Sequence, residues 1–464
     1  VTIIGMGPRG WGIARHVDSR IHVFGALPGD RVKARVVNRH RGRIEAEVVT
    51  YRSRALAPIP ARCSHFAICG GCLWQDLVYE DQLDLKRKMV KGCLVDVGLT
   101  DVDVLETIES ESVFEYRNKV EYSFSPDGEG KLVTGLHVSS KKWKQKKSGS
   151  RTKERLSRRL AGSPPVLEVE RCHLLPGPLD AVARETGRAL REAGIEAYDP
   201  EDKTGAARSI VVRRSLDSGQ ILVNLVTGVE ETETGKIAAE ALRSDDSEVA
   251  GVVRSWNPKR SRQAEPEKQV VEAGADRVVE KLGGLEIEVS SSSFMQVNTR
   301  QAERLYKIAL SAAALTSSTR VLDLFSGIGA LSLLAAGASA HVTGVEIRED
   351  ATADARRNAE RNGIENVRFV AGDVHDALAG ELAEETFDVV LANPPRAGIT
   401  KRALEAICGR APERIVYVSC DAETLARDLV RLVANGYAVF TVQPVDMFPH
   451  TPHCEVVVEL RRNA

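Results

Sequence analysis

Between residues 320 and 460 the chain repeats one phrase: a short run of β-branched and apolar residues, a turn, then helical spacing. Arg320-Val-Leu-Asp-Leu-Phe-Ser-Gly-Ile-Gly-Ala-Leu-Ser-Leu333 reads as strand, glycine turn and helix, and His341-Val-Thr-Gly-Val-Glu-Ile347 as the next strand, ending in an acid. Val367-Arg-Phe-Val-Ala-Gly-Asp373 and Phe387-Asp-Val-Val-Leu-Ala-Asn-Pro-Pro-Arg396 supply two more, the second running into a rigid loop. Ile415-Val-Tyr-Val-Ser-Cys-Asp421 follows, and from Asp421 to Leu429 the spacing turns helical behind a capping residue. Tyr437 to Val442 and Glu455 to Leu460 close the sheet, the last expected to be antiparallel. Strands that alternate with helices this way fold into an open, mostly parallel sheet with helices on both faces. Residues 290–464 are therefore expected to form a Rossmann-like α/β domain.

In such a sheet, ligands lodge where the carboxyl ends of the strands open. Gly327 and Gly329 let a ligand approach the backbone there, and Glu346 follows Gly327 at the distance where an acid can hold ribose hydroxyls. Ser332 stands where a dinucleotide fingerprint would have its third glycine, which argues against NAD and fits a methyltransferase turn holding S-adenosylmethionine better. Asp373 is placed to meet the adenine. Cys420 sits where strand becomes helix, and the positive end of a helix favours thiolate over thiol. It can be read as a nucleophile or as a small hydrophobe closing a strand.

The rest of the chain reads differently. Alternating runs at Ile21–Phe24, Arg31–Val37 and Arg43–Val49, split by turns such as Leu27-Pro-Gly-Asp30, predict a five-stranded OB-like barrel over residues 1–57. This segment resembles a TRAM domain, an RNA-binding module, in its Gly-rich opening (Gly5, Gly7, Gly10, Gly12) and its Ala26–Arg31 turn. Arg31, Lys33, Arg35, Arg39, Arg41 and Arg43 are candidates to track a phosphate backbone. Next, Cys63, Cys69 and Cys72 are bunched tightly enough to want a metal, with Gly70 and Gly71 letting the backbone wrap it. Cys172 is the candidate fourth ligand, and four sulfurs suit either zinc or a 4Fe-4S cluster. Residues 58–289 read as a mixed α+β domain. Within it, ten Lys or Arg stand against one acid from Lys141 to Arg159, which reads either as a solvated loop or as a phosphate clamp.

Composition narrows the class. At 464 residues the chain has room for about three domains. Eight Cys in a chain of this size suit metal binding or catalysis in a reducing compartment better than a disulfide framework. No apolar run is long enough to span a bilayer, and the amino terminus lacks a basic stretch followed by an apolar one. A cytoplasmic monomer without membrane association is expected. The net charge is only -1, so a nucleic-acid partner must be met by local patches.

Taken together, the TRAM-like start, the Cys63/Cys69/Cys72 spacing with a distant Cys, Tyr116-Arg-Asn-Lys119, Ser293-Phe-Met-Gln-Val-Asn298, the Phe325 turn, Asn393-Pro-Pro-Arg-Ala-Gly398, Ser419-Cys-Asp421 and Asp446–Glu455 are specific. Over essentially its whole length the chain resembles the iron-sulfur RNA (uracil-5-)-methyltransferases of the RumA/TrmA type. That resemblance implies that Gln296, Phe325, Glu346 and Asp373 contact S-adenosylmethionine, with Gly327, Gly329 and Asn393 in the same pocket. It implies that Cys420 is the nucleophile, that Glu455 is the base, and that Cys63, Cys69, Cys72 and Cys172 hold a 4Fe-4S cluster. It implies an RNA substrate, ribosomal RNA first and the tRNA T-loop second. Three residues depart from the family pattern: Asn393 stands for the usual Asp, Ala330 for a frequent Asn and Ser326 for a frequent Cys. Asn393-Pro-Pro also matches the motif of amino-group methyltransferases, the alternative reading.

Overall fold

A computed structural model describes residues 1–16, 19–40, 43–139, 166–244, 248–259 and 266–463. Arg41 and the basic run 141–159 lie outside the described residues. The chain forms two compact units: Val1–Pro60 with Leu73–Val113 and Arg300–Ala464, and Ala61–Cys72 with Phe114–Thr299. The amino-terminal strands and the carboxy-terminal sheet thus fall in one unit, although the chain between them belongs largely to the other.

In the first unit, strands Gly5–Gly7, Trp11–His16, Ser19–Phe24, Arg43–Ser53 and Arg31–His40 are neighbours in that order. Thr2 bridges to Arg31, so the sheet curls back on itself. Alternation puts Ile21, Val23, Val32 and Ala46 inside. Arg31, Lys33 and Arg39 are exposed, whereas Arg35 is committed to a buried Glu47.

Helix Tyr79–Asp96 ties this barrel to the rest of its unit. It opens with Glu80 and Asp81, which suit the positive helix end, and stops before Gly98, whose φ of +87° a side chain rarely adopts. Its buried face (Leu85, Met89, Val90, Cys93, Leu94) shares one core with Met6 of the barrel and with Leu425, Leu429 and Val458. Leu85, Val90 and Leu94 are at most 2% exposed. Each such side chain is worth about 1.5–3 kcal/mol over an exposed one.

The carboxy-terminal sheet of that unit runs Val367–Ala371, His341–Glu346, Arg320–Leu324, Val389–Ala392, Arg414–Ser419, Glu455–Arg462, Tyr437–Val445. The first five are mutually parallel. Glu455–Arg462 is antiparallel to both neighbours, as expected. Strand order reverses at Arg320–Leu324, the arrangement that opens a crevice at the carboxyl ends. A run such as Val389-Val-Leu-Ala392, buried throughout, is what a strand covered on both faces requires.

The second unit is built on a sheet in the order Lys268–Gly274, Val249–Trp256, Ile221–Thr227, Ala207–Arg214, Lys119–Pro126, Leu132–His137, Val166–Leu167. Helices Leu179–Glu192 and Thr234–Ala241 cover its core. Ala207–Arg214 and Ile221–Thr227 form the expected antiparallel pair. No helix among the described residues is long and apolar enough to cross a membrane.

Candidate active site

Strand Arg320–Leu324 leaves the sheet through a turn in which Phe325, Gly327 and Gly329 have φ of +62°, +54° and +83°. A side chain at Gly329 would lie 2.8 Å from the Phe369 ring, so only glycine packs there, while the position above Gly327 is open to 4 Å. Glu346, at the end of the adjacent strand, accepts the Gly327 N–H at 3.0 Å and the Arg348 N–H at 3.0 Å. The acid is thus held at the lip of the turn by strand register. Asp373 caps helix Val374–Ala379, accepting the His375 and Asp376 N–H groups. Asn393 donates its backbone N–H to the Leu324 carbonyl at 3.3 Å and is half-buried. The crevice therefore gathers Phe325, Gly327, Gly329, Glu346, Asp373 and Asn393 at the carboxyl ends of four neighbouring strands. Gln296 belongs to the second unit, where it is buried and its carbonyl accepts from Asn118 Nδ2 at 3.2 Å.

Cys420 and Glu455 are 35 residues apart in sequence, yet strands Arg414–Ser419 and Glu455–Arg462 pair with Ser419 opposite Val456. That register sets the thiol beside the carboxylate. Glu455 is 2% exposed, and its Oε2 is buried with no hydrogen-bond partner among the described residues. Burial pushes its carboxyl up to about 7, with the Arg396 guanidinium opposing the rise. Burial, and then the Glu455 charge, push the half-buried Cys420 thiol up to about 11, again against Arg396.

The helix end expected to favour the Cys420 thiolate already has an acceptor. Asp421 takes the end of helix Ala422–Ala434 itself, accepting the Glu423 and Thr424 N–H groups at 3.1 Å each, and its charge raises the thiol further. The group that favours thiolate is Arg396 instead. Its loop is pinned to the helix by Thr424 Oγ1 on the Arg396 carbonyl (3.1 Å) and by Arg427 on the Ala397 carbonyl (2.8 Å). Gly398, with φ of +73°, is required there, because a side chain would collide with the Asp428 carboxylate and the Arg427 guanidinium.

Sequence reasoning passed over Arg396 as the cation shared by the pair, and it passed over Asp323 and Tyr306. Asp323 is 1% exposed, and burial pushes its carboxyl up to about 7. One of its oxygens accepts from Ser332 Oγ, and the other has no partner among the described residues. An acid inside an otherwise apolar strand was the available signal. Burial raises the Tyr306 hydroxyl, and the Asp323 and Glu455 charges add to the rise. Nothing local to its helix marks it.

The four predicted metal ligands all lie in the second unit, half-buried and free of disulfides. After burial, the Cys172 thiol is raised by Cys72 and Cys69 among others, and Cys69 by Cys63, so the sulfurs form one group. Cys172 is fixed by its N–H on Asp180 at 2.8 Å, and Cys69 Sγ accepts the Gly71 N–H at 3.4 Å. No three of these sulfurs lie within 4.8 Å of one another; among the described residues only Asp373, His375 and Asp376 meet that limit.

Residues 315–436 match the family described as a methyltransferase domain. Over its whole length the chain is 35% identical to an uncharacterized RNA methyltransferase of Caldanaerobacter subterraneus subsp. tengcongensis, covering 98% of that protein. It is also 35% identical to one of Halalkalibacterium halodurans, with 99% of this chain and 96% of the relative aligned. Among solved structures, the tRNA (uracil-54, C5)-methyltransferase of Pyrococcus abyssi in complex with S-adenosyl-L-homocysteine aligns with a TM-score of 0.70 and 25% identity, over 99% of this chain and 98% of that one.

Proposed function

Since this chain belongs to the RNA methyltransferases and is an S-adenosylmethionine-dependent enzyme, we propose that it methylates carbon 5 of a uridine through a covalent adduct on Cys420. The observation that carries this reading is the half-buried thiol beside a buried carboxylate with an unpartnered oxygen, both within the influence of Arg396. An amino-group methyltransferase has no use for such a pair. Carbon 5 of uracil is too weak a nucleophile to take a methyl group directly. The Cys420 thiolate therefore adds at carbon 6, and the electron pair moves into an enolate centred on carbon 5. S-adenosylmethionine supplies the electrophilic methyl when bound, with Gln296, Phe325, Gly327, Gly329, Glu346, Asp373 and Asn393 as its proposed contacts. Carbon 5 then carries both a methyl and a proton. The Glu455 carboxylate removes that proton, the ring double bond reforms, and the carbon 6–sulfur bond breaks to release Cys420. The uridine must leave its stack to reach this pair. The barrel over residues 1–57 is the proposed module for the flanking strand, with its exposed Arg31, Lys33 and Arg39 toward phosphates.

Ribosomal RNA is the first candidate substrate and tRNA the second, the latter supported by the name of the Pyrococcus abyssi protein. Purified enzyme, labelled donor and each RNA class, followed by nuclease digestion and mass spectrometry, are expected to yield 5-methyluridine from one class at a single position. An N-methylated base as the product would replace this reading with the amino-group alternative.

The donor set of Cys63, Cys69, Cys72 and Cys172 supports a 4Fe-4S cluster as a structural element of the second unit. Three of its ligands come from Ala61–Cys72 and the fourth, Cys172, from within Phe114–Thr299, so it would staple the short segment to the long one. Protein purified without oxygen is expected to be brown with about four irons per chain, and Cys172→Ser to lose the colour together with thermal stability. A colourless preparation carrying zinc would remove the cluster.

A further inference from the structure

Helix Tyr79–Asp96 turns a polar stripe, not an apolar one, toward the loop that follows strand Tyr437–Val445. Tyr79, Gln82 and Lys86 stand at i, i+3 and i+7, hence on one face. Gln82 and Lys86 are 0% exposed. Lys86 Nζ pairs with Asp446, also 0% exposed, and donates to the Phe448 carbonyl at 3.1 Å. The Tyr79 hydroxyl donates to the other Asp446 oxygen at 2.9 Å and accepts the Ser110 N–H at 2.7 Å. Gln82 Oε1 accepts the His450 N–H at 2.8 Å, while its Nε2 donates to the Trp74 and Leu77 carbonyls at 3.0 Å each. Three side chains of one helix thereby fasten Asp446, Phe448 and His450.

Glu455 is where this loop re-enters the sheet, directly opposite Val445 and so one residue from the Asp446 anchor. Its Oε2 has no hydrogen-bond partner among the described residues, so where the backbone at 455 is held bears directly on where that oxygen lies. A buried ion pair is a poor source of stability compared with apolar packing, but its bonds are directional. We infer that Lys86, with Tyr79 and Gln82, is a positioning residue for the general base, fixing the Asp446–Cys454 loop so that Glu455 reaches the proton on carbon 5. This rests on the reading of Cys420 and Glu455 as nucleophile and base.

The test uses the full-length enzyme with its RNA substrate and follows two rates in a single turnover: appearance of the denaturation-resistant enzyme–RNA adduct, and its disappearance. Tyr79→Phe removes one hydrogen bond and should slow disappearance by about 3- to 10-fold. Lys86→Met should slow it by about 100-fold, the cost of a misplaced catalytic group. In both, adduct appearance and donor affinity stay within about twofold. A role in folding alone would slow both rates by one factor, or lower the thermal midpoint without separating them, and either result overturns the inference. If Lys86→Met does not fold, Tyr79→Phe decides: unchanged disappearance sinks the proposal. Glu455→Gln run alongside separates the two levels. If it traps no adduct, the underlying mechanism has failed; if it traps adduct and Tyr79→Phe does not slow release, only the positioning role has failed.

Discussion

Cys420→Ala is expected to abolish methyl transfer, by roughly 10⁴-fold or more, while donor affinity stays within about twofold. The loss is large because nothing else among the neighbouring groups can open the uracil ring to attack. Glu455 and Asp421 are carboxylates, and Arg396 has no lone pair to offer. Donor binding survives because the Phe325–Gly329 turn and Glu346 belong to other strands and are held by backbone contacts that the thiol does not share. Calorimetry with S-adenosylhomocysteine alone measures that affinity, and single-turnover transfer of labelled methyl measures the chemistry. Retained turnover in this variant would mean that carbon 5 is not activated by a sulfur.

Glu455→Gln should give the opposite signature: rapid methyl transfer followed by a dead end. Glutamine fills the same space but cannot take a proton, so the methylated adduct persists and runs as a protein–RNA band on a denaturing gel. Turnover is expected to fall by about 10²–10⁴-fold, the usual worth of a positioned base. The pH dependence of the unmodified enzyme follows from the same group. Its carboxyl is raised from an ordinary 4.5 to about 7, so the proton is retained to higher pH than usual, and the base form fades as pH falls through 7. Adduct resolution should therefore slow about tenfold for each unit below that point. Adduct formation is limited instead by a thiol near 11 and should speed up as pH rises. Above pH 7 only adduct formation should still change, so the trapped fraction is expected to grow as pH rises, whereas below 7 both steps slow together; a trapped fraction that shrank as pH rose above 7 would contradict this assignment of the two groups.

The parts of this architecture that were legible in sequence are those written in local periodicity. The Arg320–Leu333 run, the acid closing His341–Glu346 and the buried Val389–Ala392 each announce themselves within about ten residues, and parallel strand order then brings their ends together. Cys420 was placed at its strand-to-helix junction for the same reason. What escaped depends on charges meeting across long separations. The Lys86–Asp446 pair spans 360 residues, and neither partner carries a neighbouring pattern that points to the other. Arg396 read as a loop residue until the fold set it beside both the thiol and Glu455. The helix end expected to favour the Cys420 thiolate is occupied by the very next residue, Asp421. Nor does any spacing rule reveal that the opening barrel and the closing sheet share a unit from which residues 114–299 are excluded.

Ser419 faces Val456 across a ladder that has a repeat of two, and the chemistry inherits that parity. The connection between 446 and 454 is held by Lys86, Tyr79 and Gln82, so a residue added or removed within it would be passed on to the strand that follows. Shifting the strand after it by one step could not be absorbed. The acid would turn to the opposite layer, Cys454 would come forward in its stead, and two sulfurs would face the substrate with no proton acceptor between them.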